Sequence, residues 1–320
     1  MNKDCSNKEK NVGQHLRCNP NGISVIIPVL NAAAYLPALI DAILNQIPIP
    51  VREILLVDSQ STDNTREIAQ PCTLARVIPI TNFSHGRARN LGAQEAKGDI
   101  LVFLSQDALP VGQSWLKNLL EPFRDGTVAA TYSRQVPRED AIFTERFFLA
   151  HRFPENSVIR RKKPGNEPAS LENVFFSNVS SAVRRSILLE YPFDEELIMS
   201  EDQQFSRDVI NAGYAVAYAA GSVVIHSHNY TLKAAFQRYF DSVYSLTTIF
   251  PSHGIGTSTA MGADYLRKEM RFVLRNYPRK FPYYLCYNLA KIAATILAHF
   301  ASYLPKFLLR RLSQHSYHWN

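Results

Sequence analysis

Three short apolar runs constrain this chain more than any other feature. Ile23-Ser24-Val25-Ile26-Ile27-Pro28, Glu53-Ile54-Leu55-Leu56-Val57 and Ile100-Leu101-Val102-Phe103-Leu104 are rich in β-branched residues, and each ends in a polar turn. Runs this short, with so little alternation, describe strands buried on both faces, as in a parallel sheet. Helical patterns separate them. Leu36, Leu39, Ile40, Ile43 and Leu44 share one face, Asn31 is expected to cap that helix, and Pro37 is tolerable only near its start. A further helix is expected after the turn at 59–64, a short strand over 75–80, and a helix over 87–96 that Gly98 ends. This alternation predicts an α/β fold, a mostly parallel central sheet flanked by helices. Ligands bind such sheets beyond the carboxyl ends of the strands, where the polar residues of this sequence gather.

The second half is less regular. Residues 137–172, rich in charge and proline, read as a loop-bearing insertion. Apolar structure resumes over 173–183, a strand is expected over 215–225 and a helix over 232–250. Residues 284–304 are mostly apolar but interrupted by Lys291 and His299, marginal for a membrane span, which needs ~20 apolar residues with few charges. The expected organisation is a disordered tail over 1–20, a catalytic domain over 21–250 and a helical, basic region over 251–320. The polar tail lacks the apolar core of a signal peptide. The cysteines Cys5, Cys18, Cys72 and Cys286 form no CxxC pair, which fits inert thiols in a reducing compartment, hence a cytoplasmic location.

The formal net charge of +7 admits nucleic acid, an anionic membrane or a phosphorylated substrate as partner. The basic residues concentrate between Arg267 and Lys280 and again at Lys306, Arg310 and Arg311. They lack any RNP or helix-turn-helix context, so nucleic acid is set aside. Without GxGxxG after the first strand or GxxxxGK[ST] anywhere, the chain is neither a dinucleotide-binding dehydrogenase nor a P-loop protein.

The chemistry-bearing residues lie at element ends, and each also has a structural reading. Asp58, at a strand tip, can accept from a base-ring NH or a ribose hydroxyl, or it caps a turn. Asp107 can hold a hard divalent cation bridging diphosphate oxygens. Glu201-Asp202 opens a helical run, where acids also offset the helix dipole. His226 and His228 flank Ser227 after a strand, and neutral imidazoles there suit manganese-like metals. Arg87, Arg89 and Asn90 open a helix that can hold phosphate oxygens or present a solvated face.

Their order is more informative than any one of them. Val25-Ile26-Ile27-Pro28-Val29-Leu30-Asn31, Val57-Asp58-Ser59-Gln60-Ser61-Thr62-Asp63, Ala88-Arg89-Asn90-Leu91-Gly92-Ala93, Leu104-Ser105-Gln106-Asp107 and Ser200-Glu201-Asp202 together resemble the family 2 glycosyltransferases of the GT-A fold, over roughly residues 23–245. Phe83-Ser84-His85-Gly86-Arg87, Phe103 to Pro110, His226-Ser227-His228-Asn229-Tyr230 and Arg238-Tyr239-Phe240 look like the bacterial rhamnosyltransferases within that family.

The resemblance implies roles. Pro28, Asn31, Asp58, Arg89 and Gln106 would bind the nucleotide-sugar donor. Asp107, with His226 or His228, would bind Mg²⁺ or Mn²⁺, and Asp202 would be the general base, its pKa raised by burial beside Glu201. Where the family often has Asp-x-Asp, this chain has Ser105-Gln106-Asp107. The first acid commonly contacts a ribose hydroxyl, and its loss is consistent with a deoxyribose donor such as dTDP-rhamnose. A second departure is Ser59, after Asp58, where another acid is frequent. The implied activity is inverting transfer of L-rhamnose to a hydroxyl of a glycan or lipid-linked saccharide in cell-surface polysaccharide synthesis. The basic C-terminal region would dock peripherally on the inner face of the membrane, or else pack as a helical subdomain with a solvated basic face. Two alternatives stand beside this: a same-fold transferase using a UDP or GDP sugar, and a non-catalytic assembly scaffold.

Overall fold

The computed structural model describes residues 22–48, 50–163, 165, 169–251 and 255–319. The tail expected over 1–20 lies outside them. The described chain forms two compact units.

The first unit comprises residues up to Val136, with Phe153–Glu196 and Glu201–His226. It is built on one sheet of nine strands: β1 (Ile23–Val29), β2 (Glu53–Asp58), β3 (Ala75–Pro79), β4 (Ile100–Leu104), β5 (Leu109–Pro110), β6 (Val128–Val136), β7 (Val158–Arg160), β8 (Ser180–Arg184) and β9 (Ala215–Ile225). The order is β3-β2-β1-β4-β8-β6-β9-β5, with β7 on β9. Strands β3, β2, β1 and β4 are parallel, as the continuous apolar runs require. The β8 strand then enters antiparallel between β4 and β6, and β6 and β9 are again parallel.

One face of the sheet presents Val25, Ile27, Ile54, Leu56 and Val102 to helices Leu36–Leu44 and Trp115–Leu120. At ~1.5–3 kcal/mol for each fully buried large aliphatic side chain, this layer is a principal source of stability. Against the other face, helix His85–Glu95 approaches so closely that a Cβ on Gly92 would overlap Ile26. Phe103, Phe193 and Phe205 stack edge-on or tilted beside it, with centroids 5.5 and 5.3 Å apart.

Two local expectations differ from the structure. Asn31 does not cap the first helix. That helix starts at Leu36 with Tyr35 before it and Pro37 in its first turn. Asn31 instead adopts φ 50°, a left-handed conformation that asparagine tolerates, and its Oδ1 accepts from the Thr62 N–H (2.9 Å). The segment 137–172 is not only loop: Phe143–Arg152 is a helix that buries Phe143, Thr144 and Leu149, and Val158–Arg160 is a strand.

The second unit comprises Pro137–Arg152, Leu197–Ser200 and Ser227–Asn320. Its described helices are Phe143–Arg152, Leu232–Ile249, Ile255–Asn276, Phe281–His299 and Lys306–Leu312. Phe240, Ala294, Ala298, Leu309 and Trp319 form one core, and Phe143, Val273 and Tyr284 a smaller one. Lys291 is buried. Its Nζ lies 4.0 Å from Glu269 Oε2 and over the rings of Tyr239, Tyr265 and Tyr287 at 4.7, 5.3 and 5.7 Å. No described helix is long and apolar enough to cross a membrane.

Candidate active site

The register of the sheet gathers the site residues of the first unit at one edge. Asp58 ends β2, Asp107 follows the carboxyl end of β4, and His226 that of β9. Because β8 runs antiparallel, its start lies at the same edge, with Leu104 opposite Ser180. Asn178 and Val179 therefore sit beside the β4 tip, and Ser105 N–H donates to the Val179 carbonyl (2.9 Å).

Asp58 is fully buried. Burial alone pushes its carboxyl up, but the hydrogen bonds from Ser61 and the Arg66 guanidinium prevail and hold it below the usual range. Ser61 N–H donates to Oδ1 (2.9 Å) and Arg66 Nε to Oδ2 (2.6 Å). The loop after β2 also locks onto the end of β1. Asn31 N–H donates to Ser61 Oγ (2.9 Å), Ala32 N–H to Thr65 Oγ1 (2.7 Å) and Ala33 N–H to Asp63 Oδ2 (3.0 Å). Pro28 lies half-buried in β1 opposite Val57. Gln106 joins the next strand tip to this assembly: its Oε1 accepts from Leu30 N–H (2.9 Å) and its Nε2 donates to the Leu30 carbonyl (3.2 Å). Pro28, Asn31, Asp58 and Gln106 thus share one rim.

Asp107 and His226 meet because Leu109 in β5 pairs with Ile225 at the end of β9. Nε2 of His226 lies 3.7 Å from Asp107 Oδ1. Behind the ring, Gln135 Nε2 donates to Ser177 Oγ (3.0 Å), which turns Gln135 Oε1 toward His226 Nδ1 (2.9 Å). A proton on Nδ1 donated to Gln135 Oε1 would direct the His226 Nε2 lone pair to the Asp107 side, the outer-shell arrangement that orients metal-ligating histidines. A hard oxygen beside a borderline nitrogen fits a manganese- or magnesium-type cation. His228, two residues further on, belongs to the second unit, where its backbone N–H donates to Glu145 Oε1 (3.4 Å).

Glu201 and Asp202 open helix Glu201–Asn211, and their surroundings shift the two carboxyls in opposite directions. Glu201 is buried, and that burial opposes its charge, but Arg89 Nη1 donates to its Oε1 (2.9 Å) and keeps the carboxyl low. Among the described residues Asp202 has no such ion pair. Burial, then the Glu201 charge, push it up to about 7. Asn178 holds both acids: its N–H donates to Asp202 Oδ2 (3.3 Å) and its Nδ2 to Glu201 Oε1 (3.4 Å). Ser181 Oγ in turn donates to Asn178 Oδ1 (2.9 Å).

Arg89 lies on that acid, and its Nη1 also donates to the His85 carbonyl (3.1 Å). Its neighbours are structural. Arg87 Nε donates to Glu195 Oε2 (2.9 Å), and Asn90 Nδ2 donates to the Phe193 carbonyl (2.8 Å) and Glu195 Oε1 (3.0 Å). A Cβ on Gly86 would overlap the Asp194 carbonyl, so only glycine lets this loop close on the helix. Sequence reasoning missed Asn178, Gln135 and Arg66. For Asn178 and Gln135 the only signal available was proximity to strand ends, which many polar residues share, and Arg66, inside helix Thr65–Ala69, carried none.

The sequence profile of glycosyl transferase family 2 matches residues 24–191. The O-antigen chain rhamnosyltransferase RfbN of Salmonella typhimurium is 34% identical over 303 residues, covering 93% of this chain and 96% of the relative. The O-antigen chain rhamnosyltransferase WbaN of Salmonella anatum is 34% identical over 272 residues, covering 84% and 86%. Among solved structures, the mannosyltransferase PcManGT of Pyrobaculum calidifontis, crystallised with GDP-Man and Mn²⁺, superposes with a TM-score of 0.59 at 18% identity, over 90% of this chain and 93% of its own. The glucosyl-3-phosphoglycerate synthase of Mycobacterium tuberculosis, with Mn²⁺, UDP and glucosyl-3-phosphoglycerate, does so at 0.51 and 20% identity, over 78% and 85%. The sheet, the strand-edge acids and these matches agree: the chain belongs to glycosyl transferase family 2 and is a glycosyltransferase with the GT-A-type fold.

Proposed function

We propose that this glycosyltransferase moves L-rhamnose from dTDP-rhamnose to a hydroxyl of a glycan or lipid-linked saccharide, with inversion, in cell-surface polysaccharide synthesis. The observation that carries the mechanism is the Glu201–Asp202 pair. Arg89 holds Glu201 ionised, and burial together with that nearby negative charge leaves Asp202 with a raised affinity for a proton near neutral pH. Asp202 takes the acceptor proton as the acceptor oxygen attacks the anomeric carbon and the nucleoside diphosphate departs. One base and no enzyme nucleophile give a single displacement, hence inversion. Positioned general bases contribute ~10²–10⁴ in rate.

Pro28, Asn31, Asp58 and Gln106 form the rim that receives the nucleoside; Arg89, expected among the donor-binding residues, here holds Glu201. Asp107 and His226, with His228 after them in the chain, would hold Mg²⁺ or Mn²⁺. When bound, that cation supplies positive charge for the leaving diphosphate. Ser105, standing where the family often has an acid, supports a deoxyribose donor, and the names of the Salmonella relatives support rhamnose as the sugar. In this reading residues 21–250 carry catalysis in the cytoplasm, and 251–320 form a helical, basic region at the inner membrane face.

The test is a donor screen of dTDP-rhamnose, UDP-glucose and GDP-mannose, each with Mg²⁺, Mn²⁺ or chelator, followed by titration binding and donor hydrolysis. Metal-dependent turnover of dTDP-rhamnose alone is expected. Preference for a UDP or GDP sugar would overturn the donor assignment and leave the family intact. Binding of none of the three would favour a scaffold.

A further inference from the structure

The helix Phe281–His299 is amphipathic in an unusual sense. Its inner face carries Tyr284, Tyr287, Asn288, Lys291, Ala294 and Ala298. Its outer face carries Leu285, Leu289, Ile292 and Ile296, exposed by 46, 65, 45 and 45%. These four recur at i, i+4, i+7 and i+11, one stripe along a helix. The only Lys, Arg, Asp or Glu of this helix, Lys291, is turned inward onto Glu269 and the tyrosines. A helix on the surface of a soluble domain ordinarily does the reverse. Phe300, Tyr303 and Phe307 extend the apolar surface, at 48, 83 and 60% exposed. The stripe is flanked in sequence by exposed cations, with Arg275, Arg279 and Lys280 before it and Lys306, Arg310 and Arg311 after it.

We infer that the stripe Leu285–Leu289–Ile292–Ile296 with Phe300 and Tyr303 is a lipid-docking face, seated in the headgroup–acyl boundary of an anionic bilayer. Charge complementarity selects this occupant. Cations at both ends suit anionic headgroups, and an uncharged stripe between them suits the acyl boundary. A second copy of this chain would bring the same cations against one another. The helix lies in the interface and does not cross it, because its inner face is occupied by its own unit. The inference rests on the inner-membrane part of the proposed function and gives it its residues; because docking needs neither donor nor acceptor, its failure would leave the transferase reading standing.

The test is flotation of the full chain with vesicles of phosphatidylcholine alone or with ~30 mol% phosphatidylglycerol, comparing wild type, Leu289→Glu/Ile296→Glu, and Arg279→Ser/Lys280→Ser. The substituted side chains are exposed, and circular dichroism confirms that each variant folds. Wild type is expected to float with anionic vesicles only. The apolar-stripe variant should lose at least tenfold in partitioning. The cation variant should lose severalfold and become less sensitive to salt, while donor hydrolysis stays unchanged in both. Wild type that ignores anionic vesicles would overturn the proposal, as would equal partitioning of wild type and the stripe variant. A wild-type dimer that the stripe variant dissociates, with no vesicle binding, would assign the face to self-association and overturn lipid docking.

Discussion

Both units of this protein bury charge, but to different ends. In the first, Asp58, Arg89 and Glu201 lie at the edge of a sheet whose interior is apolar. Each is held by hydrogen bonds, and Arg89 and Glu201 adjoin Asp202, which among the described residues has no ion pair of its own. In the second, Lys291 and Glu269 lie among aromatic rings inside a helical core. The first arrangement leaves one group poised to accept a proton. The second fixes which way a helix faces. A buried ion marks chemistry only when it leaves a neighbour uncompensated at an open edge.

The largest effect that would test this contrast is on rate. Asp202→Asn should lower kcat by ~10²–10⁴ with donor affinity retained. Single-turnover assays with titration binding check it, and near-normal turnover would remove Asp202 from the role of base. The counterpart in the second unit is a stability effect. Lys291→Met should cost about 3–5 kcal/mol in denaturant unfolding by stranding Glu269, and Lys291→Met/Glu269→Gln should recover much of it. Loss of kcat in Lys291→Met without loss of stability would break the distinction between the two units.

A smaller effect sharpens the first unit. Gln135→Leu should weaken Mn²⁺ binding about 10–100-fold, read by calorimetry or electron paramagnetic resonance, because His226 loses the partner that orients it. An unchanged affinity would mean that Asp107 and His226 are not held for a metal.

The smallest effects are in pH. The acid limb of kcat/KM should have its midpoint near 7, since Asp202 must be ionised to act. The same raised value makes Asp202 a destabilising group. Its cost to folding grows as pH rises from the ordinary carboxylate range near 4 toward 7 and is constant above, so Asp202→Asn should be more stabilising at pH 8 than at pH 4. Asp58 has the opposite sign. Its lowered pKa contributes stability above the ordinary value that is lost as pH falls through the folded one. Asp58→Asn should therefore flatten the acid arm of the stability profile, and an unaltered arm would count against the Arg66 and Ser61 hydrogen bonds.

What was legible in the sequence follows from range of interaction. Strands β1, β2 and β4 declare themselves because central parallel strands must be apolar on both faces, and the acids at their tips are read off by position. Asn31 misled because a residue with helix-capping chemistry also suits a left-handed turn, and the choice was made by Thr62, thirty-one residues away. The helix Phe143–Arg152 hid within a charged, proline-bearing stretch, since its buried face is short. The roles of Asn178 and Gln135 could not be read at all. Each depends on β8 and β6 lying beside other strands, and strand pairing leaves no local trace.

The inward lysine has a consequence for the chain before it folds. Residues 281–299 leave the ribosome as a run that carries one charged side chain among many apolar ones, yet is not apolar enough to cross a bilayer. At that stage Lys291 has neither Glu269 nor the tyrosine rings. Near the middle of the segment, a bare ammonium penalises membrane insertion by about 3 kcal/mol. The side chain that later orients the helix thus adds, during synthesis, to the cost of threading the segment through a bilayer.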